Sequence, residues 1–396
     1  MKTITVNNII KVLHPITRLI VGGAQENTLF TAQYLNPSRY DVHVLTGRQT
    51  GSEGSLFHEA ADNGIKVKIL PDLVREISPQ YDYMAFKKLT NLLRYEKFVI
   101  VHTHSSKAGI LGRMAAQRSK VPIILHTVHG WSFHEQMHPA LRMMYILLEK
   151  LAYRYSDAII FVSKKDIELG KNSGILSKEN YHLVRSAIPI DKFQRSLYSR
   201  SVNRENLGIP HDVPVIGNIG RFSAQKDPLS WIKVAKLVHA ILPDCQFLLV
   251  GDGPLKLTVE TEIQRTGFPE KFIMTGIRRD VPEMLSAMDI FLITSLWEGL
   301  PRVIPQALSM GLPVVSNHIN GIEEVVIDGR TGFLAEPGNI QLLADHCIRL
   351  LQEPANMKML GENGMSLVRR EFSLDRMICQ IEAIYEELIR KKIRKT

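Results

Sequence analysis

The sequence predicts an α/β protein made of two halves of similar size, each a mostly parallel sheet crossed by helices. Three observations carry this. Short apolar, β-branched runs alternate with helical patterns along nearly the whole chain. The alternation stops once, at the polar stretch Asp191–Arg204, and then restarts. Turns rich in Gly and Pro follow several of the runs, as expected where the strands of an open parallel sheet hand over to helices.

In the first half the strand-like runs are Asn8–Leu13, Val42–Leu45, Val67–Leu70, Phe98–His102, Ile123–Thr127 and Asp157–Val162. The helix Glu26–Tyr34 follows Gly22-Gly23. Helix Pro139–Tyr155 carries Leu141, Met144, Tyr145, Leu148, Leu151, Ala152 and Tyr155 at helical spacing, a stripe that reads as core rather than membrane-facing. Asp191–Arg204 has little apolar periodicity and reads as a linker. The second series runs through Val215–Gly217, Gln246–Val250, Phe272–Thr275, Ile290–Thr294, Pro313–Ser316 and Gly332–Leu334. A long amphipathic helix, Leu374–Arg394, closes the chain with basic residues in its last turn, as the helix dipole favours. The expected domains are residues 1–190 and 191–373, with the helix at about 374–396 packing back on the first.

The chain has 396 residues, enough for two or three domains, and 45% hydrophobic with 22% charged residues is the composition of a globular protein. Cys245, Cys347 and Cys379 are too few and too scattered for a disulfide framework or a zinc site, which fits a reducing, cytoplasmic setting. Met1–Asn8 leads into a strand-like run without a long apolar stretch, so no signal peptide is expected. No apolar run approaches the ~18 residues of a membrane span. The formal charge is +9, and its placement is uneven. Residues 1–190 hold 24 Lys/Arg against 15 Asp/Glu, whereas residues 191–396 hold 25 of each. Residues 384–396 add a basic end, with 5 cations and 2 acids. A basic half and tail suit an anionic partner such as a membrane surface, or are simply a solvated face. Zinc-finger spacing and aromatic RNP-type runs are missing, so nucleic acid is not expected as a partner.

The most informative stretch is Glu298-Gly299-Leu300-Pro301-Arg302 running to Gln306 and Ser316. An apolar strand precedes it, and an Ala/Leu-rich helix and a second strand follow. A carboxylate at that strand exit lies where open α/β sheets bind ligands. The adjoining helix N-terminus offers free N–H groups to an anion. Together they point to a sugar phosphate or nucleotide rather than a bare metal. Gly220-Arg221-Phe222-Ser223-Ala224-Gln225-Lys226 follows the first strand of the second half. Arg221 and Lys226 could grip a diphosphate there, or be unrelated surface cations. Gly22-Gly23 opens a helix, as a phosphate loop or a plain turn. Asp252, between Gly251 and Gly253, reads as a turn residue. His129 ends a strand where it could bond a sugar hydroxyl, or be structural like its neighbours His102, His104, His126 and His134. None of these histidines has a metal-site helical spacing. Glu323-Glu324 opens an expected helix, as ligands or as dipole partners. A complete G-x-G-x-x-G does not follow the first strand, which argues against a dinucleotide oxidoreductase.

Taken together, the segments Val101–His129, Gly220–Pro228 and Glu298–Leu334 resemble the family 4 retaining glycosyltransferases, over nearly the whole chain. The resemblance implies a GT-B fold, two facing Rossmann-like domains with a deep interdomain cleft. It implies that Arg221 and Lys226 hold the donor diphosphate. Glu298 matches the first glutamate of the E-x7-E pattern, near the donor sugar, with backbone N–H groups from Gly299, Leu300 and Pro301 around it. Glu324 matches an acid of the following segment, Gly23 the glycine loop at the reaction centre, and His129 the histidine that contacts the transferred sugar. The second glutamate of the pattern is replaced by Gln306, which can still accept from a ribose hydroxyl. The loss of charge should weaken that bond by about 1 kcal/mol. Ser186-Ala187-Ile188 stands where relatives often have Asn-Gly-Val.

The implied activity is transfer of a hexose, with retention, from a nucleotide-diphosphate sugar, UDP-linked in the first instance, to a saccharide or polyprenyl-diphosphate-linked acceptor. The setting would be cell-surface polysaccharide synthesis, peripheral on the inner membrane face. No metal or other cofactor is expected, because fixed cations neutralise the leaving group. Two alternatives are a GT-B sugar-nucleotide epimerase and a non-catalytic nucleotide-sugar-binding subunit.

Overall fold

A computed structural model describes residues 9–49, 54–133, 137–319 and 321–393. Met1–Asn8, His134, Asn320 and the final basic residues Arg394 and Lys395 lie outside the described residues. The chain divides into two compact units. The first runs to Ser186 and takes the chain back from Leu374, and the second is Ala187–Ser373.

The first unit reads β1 (Ile10–Ile16), α1 (Gly23–Tyr34), β2 (Tyr40–Thr46), α2 (Phe57–Asp62), β3 (Lys66–Ile69), α3 (Pro79–Glu96), β4 (Ile100–His104), α4 (Ser106–Arg118), β5 (Ile123–Val128), α5 (Pro139–Tyr153), β6 (Ala158–Phe161), α6 (Lys164–Asn172) and β7 (Tyr181–Leu183). Its sheet has the order β3-β2-β1-β4-β5-β6-β7, with every strand pair parallel. β7 is absent from the sequence reading, because its three residues, Tyr-His-Leu, are too short to show a pattern. Leu13, Leu45, Val101 and Ile124 from the strands pack with Leu89 and Leu93 of α3. The carboxyl halves of β1, β4 and β5 depart from the apolar run usual in parallel strands. They bury His14, His102, Thr103, His104, His126 and Thr127 instead.

The second unit reads α7 (Arg200–Asn206), β8 (Val215–Ile219), α8 (Pro228–Ile241), β9 (Gln246–Val250), α9 (Lys256–Gln264), β10 (Phe272–Gly276), α10 (Val281–Ser286), β11 (Ile290–Ile293), α11 (Val303–Ser309), β12 (Val314–Asn317), β13 (Gly332–Ala335), α12 (Ile340–Gln352) and α13 (Pro354–Glu371). Its parallel sheet has the order β10-β9-β8-β11-β12-β13. Ile216, Phe247, Leu249, Ile290, Leu292 and Val315 form its core with Trp231. In each unit the strand order reverses beside the first strand, between β1 and β4 or between β8 and β11.

Asp191–Arg204 is not a linker. It holds two 3-10 turns and most of α7, and its arginines are folded into the second unit. The Arg204 guanidinium is buried. It donates to Asp289 Oδ2 at 2.8 Å and to the carbonyls of His211 and Val213 at 2.7 and 2.8 Å. Arg200 bonds the other oxygen of Asp289 at 2.6 Å. Carbonyls and one carboxylate thus solvate these charges inside the fold, which apolar periodicity cannot reveal.

α14 (Leu374–Lys392) belongs to the first unit. Its Glu382 accepts from the Asn36 N–H at 2.9 Å. Glu386 pairs with Arg39 at 2.8 Å, Lys392 pairs with Asp157 at 2.7 Å, and the Tyr385 ring is fully buried. α5 departs from the expected core stripe. Leu141 and Met144 are exposed, with Met143 at 56% and Leu147 at 57%. Of the stripe, Ala152 is buried and Tyr145, Leu148, Leu151 and Tyr155 are half-buried, while Ile146, Glu149 and Tyr153 from outside it also face inward. Glu149 is buried by a 2.6 Å ion pair with Arg113 of α4.

Candidate functional site

Two loops leave the carboxyl ends of β8 and β11 at the strand-order reversal of the second unit, where open α/β sheets take their ligands. The first carries Arg221, then a 3-10 turn Ala224–Lys226 that ends at Asp227, the N-cap of α8. Asp227 has φ 43°, a left-handed conformation costly for a non-glycine residue. Three bonds hold it there. Its carboxylate accepts from the Ser230 N–H at 3.2 Å. The Thr294 hydroxyl reaches the carbonyls of Asp227 and Lys226 at 2.8 and 3.1 Å. The second loop is tied on further. Leu296 N–H donates to the Gln225 carbonyl at 2.8 Å, and the Gln225 amide donates to the Trp297 carbonyl at 2.8 Å. Asn317, ending β12, donates to the carbonyls of Thr294 and Ser295 at 2.8 and 3.2 Å.

This stitching brings Lys226 and Glu298 together as an ion pair, with the ammonium donating to Glu298 Oε1. The carboxylate is 8% exposed and the lysine 24%. A cation is therefore held by its own carboxylate at the edge of the sheet, with two further N–H donors for an anion. Arg221 lies exposed in the same loop, next to buried Phe222. Two glycines keep the site tight. Gly251 has φ +141°, and a Cβ there would lie 2.0 Å from the Gly220 carbonyl oxygen. Gly321 has φ +83°, and a Cβ there would lie 1.5 Å from the Gly299 carbonyl oxygen.

Two details differ from the sequence reading. Pro301 has no N–H, so only Gly299 and Leu300 can donate from that segment. Glu323-Glu324 opens no helix. Residues 321–326 form turns, in which Val325 and Val326 N–H donate to the Ile322 carbonyl at 2.9 and 2.8 Å. Gly321 itself, at φ +83°, lies outside the helical region. Glu324 is half-buried there. Glu323 pairs with His318 at 2.8 Å, and His318 also meets Glu336 at 3.1 Å. These carboxylates, Glu336 first, raise the His318 pKa. Gln306 is half-buried within α11.

Gly23 and His129 belong to the first unit. Gly23 is the first residue of α1, and Gly22 before it accepts from the Glu26 N–H at 3.0 Å. His129 is half-buried just after β5, and its Nε2 meets His104 Nδ1 at 3.1 Å. Behind it lie residues that motif reading misses. His104 Nε2 meets His14 Nδ1 at 2.8 Å, and His102 lies between Thr127 and Tyr385 at 2.7 and 2.6 Å. Burial pushes the His14 pKa down to about 3. Burial first, and neighbouring positive charge after it, lowers His102, His104 and His126 as well. The signal for this cluster was the i, i+2 spacing of His102 and His104, which puts both on one face of β4. His14, His102 and His104 present ligand atoms within 4.8 Å of one another.

The sequence pattern of Glycosyltransferase Family 4 matches residues 21–192, and that of Glycosyl transferases group 1 matches residues 199–366. Among characterised proteins, the chain is 28% identical over 386 residues to the UDP-Gal:alpha-D-GlcNAc-diphosphoundecaprenol alpha-1,3-galactosyltransferase of Escherichia coli, covering 97% of this chain and 98% of that one. It is 24% identical to the capsular polysaccharide biosynthesis glycosyltransferase CapM of Staphylococcus aureus, covering 91% and 93%. Among solved structures, Anabaena HepE in complex with UDP-glucose superposes with a TM-score of 0.81 at 21% identity, covering 96% of this chain and all of that one. That likeness shows the shared GT-B architecture of two Rossmann-like units. With both halves matched in order, the chain belongs to the family 4, group 1 glycosyltransferases and is a sugar-transferring enzyme.

Proposed function

We propose that the enzyme moves a hexose, with retention of anomeric configuration, from a UDP-sugar to a polyprenyl-diphosphate-linked saccharide in cell-surface polysaccharide synthesis. The observation that carries this is the Lys226–Glu298 pair at the strand-order reversal of the second unit. Glu298 aims Lys226, and Lys226 with Arg221 neutralises the departing diphosphate. The bond from the sugar's anomeric carbon to the diphosphate oxygen breaks as the acceptor oxygen bonds that carbon. The acceptor's proton passes to the diphosphate oxygen on the same face. Gly299 and Leu300 N–H groups, Gln306 and Glu324 serve the donor, Gly23 lines the reaction centre, and His129 contacts the transferred sugar. Fixed cations do the electrostatic work, so a divalent metal is not called for. The donor and acceptor classes follow the Escherichia coli relative, whose name states a UDP-sugar and a diphosphoundecaprenol acceptor, and HepE, solved with UDP-glucose.

The acceptor class places the enzyme at an anionic membrane face on the cytoplasmic side. Among the described residues no helix is long and apolar enough to cross a membrane. α5 supports peripheral docking instead. Its exposed face holds Leu141, Met143, Met144 and Leu147. Its one acid, Glu149, is buried against Arg113, and exposed Arg154 follows its end. An apolar face edged by cations and free of exposed acid suits an anionic interface. A panel of UDP-sugars with a synthetic GlcNAc-diphospholipid tests the reaction. The expected result is one donor giving an α-linked product, with turnover unchanged by EDTA. An inverted product, or donor epimerised without acceptor, would overturn it.

A further inference from the structure

We infer that Tyr385, His14 and His104 are positioning residues that decide which ring nitrogen of His129 carries its proton. The inference rests on the reading that His129 touches the transferred sugar. Six groups form one file of hydrogen bonds. Thr127 Oγ1 meets His102 Nε2 at 2.7 Å, and His102 Nδ1 meets the Tyr385 hydroxyl at 2.6 Å. That hydroxyl lies 3.4 Å from His14 Nε2. His14 Nδ1 meets His104 Nε2 at 2.8 Å, and His104 Nδ1 meets His129 Nε2 at 3.1 Å. All but His129 are buried.

A neutral imidazole has one donor nitrogen and one acceptor. Each ring in the file is entered at Nε2 and left at Nδ1. If Tyr385 donates to His14, then His14 and His104 both donate from Nδ1, and His129 accepts at Nε2 and keeps its own proton on Nδ1. If the file runs the other way, every ring is protonated at Nε2. Among the directly bonded rings His14, His104 and His129, a mixed state would set two donors or two acceptors face to face in a dry site. Burial suppresses the charged forms that would break the rule. Tyr385 reaches the file from α14, which packs on the first unit with Ile381, Ile384 and Leu388 also buried.

The same histidines lie close enough for a metal ion, but their geometry favours the file. The His14 and His104 ring planes lie within 17° of each other with centroids 5.1 Å apart. At a 2.8 Å N–N contact the two nitrogens point at each other, with one proton between them, rather than at a third point.

The test is NMR of the full-length enzyme with 15N-labelled histidine at neutral pH, in the wild type and in Tyr385→Phe, beside steady-state kinetics and metal analysis. The expected wild-type spectrum shows His14, His104 and His129 neutral and protonated at the same ring nitrogen. Tyr385→Phe should release His129 into mixed tautomers and lower kcat about tenfold, with donor KM held within about twofold. Opposed tautomers in the wild type, or about one bound metal per chain, would overturn the proposal without any variant. Wild-type kinetics and an unchanged His129 signal in Tyr385→Phe would overturn it too. His129→Ala separates the two readings, since full turnover there would remove the sugar-contact role while the spectra still decide the file.

Discussion

Acidification should unfold the first unit through its buried histidines. In the folded state His14 has a pKa near 3 against 6.5 for a free side chain. Below pH 6.5 the unfolded chain therefore binds a proton that the folded chain refuses. The sign follows: stability is whole above pH 6.5 and is lost as pH falls toward 3. At pH 5 the loss from His14 alone is about 2 kcal/mol. His102, His104 and His126 are lowered in the same direction by the same burial. They add to the loss from His14 in the same pH range, against a typical total stability of about 5–15 kcal/mol. The second unit should respond less, because His239 and His346 are lowered there while His318 is raised by its glutamates. Hydrogen-exchange mass spectrometry at pH 7.5, 6.5 and 5.5 separates the units. After correction for intrinsic exchange, β4 and β5 peptides should lose protection well before β9 and β11 peptides. Equal protection of β4 and β5 across that range would refute the argument.

Two further outcomes follow from single contacts. Gly321→Ala forces a Cβ against the Gly299 carbonyl at a left-handed φ. It should cost about 2 kcal/mol or more and displace the Glu298 loop, seen as a lower melting temperature together with a raised donor KM. Replacing Met143 and Leu147 by Glu puts two acids on the exposed face of α5. Sedimentation with anionic vesicles at low salt should fall about tenfold or more while melting stays unchanged, and undiminished binding would remove α5 as the docking face.

The alternation of strands and helices was legible because parallel strands are covered on both faces and their apolar runs stand out. β7 was not, since three residues carry no period. Asp191–Arg204 misled because periodicity treats every charge as solvated, whereas Arg204 is buried on Asp289 and backbone carbonyls. The α5 stripe misled in part, with Leu141 and Met144 outside and Glu149 inside. At the site, spacing along the chain marked Lys226 and Glu298 separately. Their pairing depends on Gln225 and Thr294 bonds that join loops about seventy residues apart, with Asn317 holding the second loop in place. The histidine file was out of reach for the same reason, because Tyr385 arrives 371 residues after His14.

The central claim is that Lys226, held by Glu298, releases a diphosphate. The most direct measurement is the rate of sugar transfer from the preferred UDP-sugar by Lys226→Ala, with folding checked by its melting curve. Loss of one preorganised cation at the leaving group should lower kcat by about 10²–10³-fold with the fold intact. Turnover close to that of the unaltered enzyme would contradict the assignment.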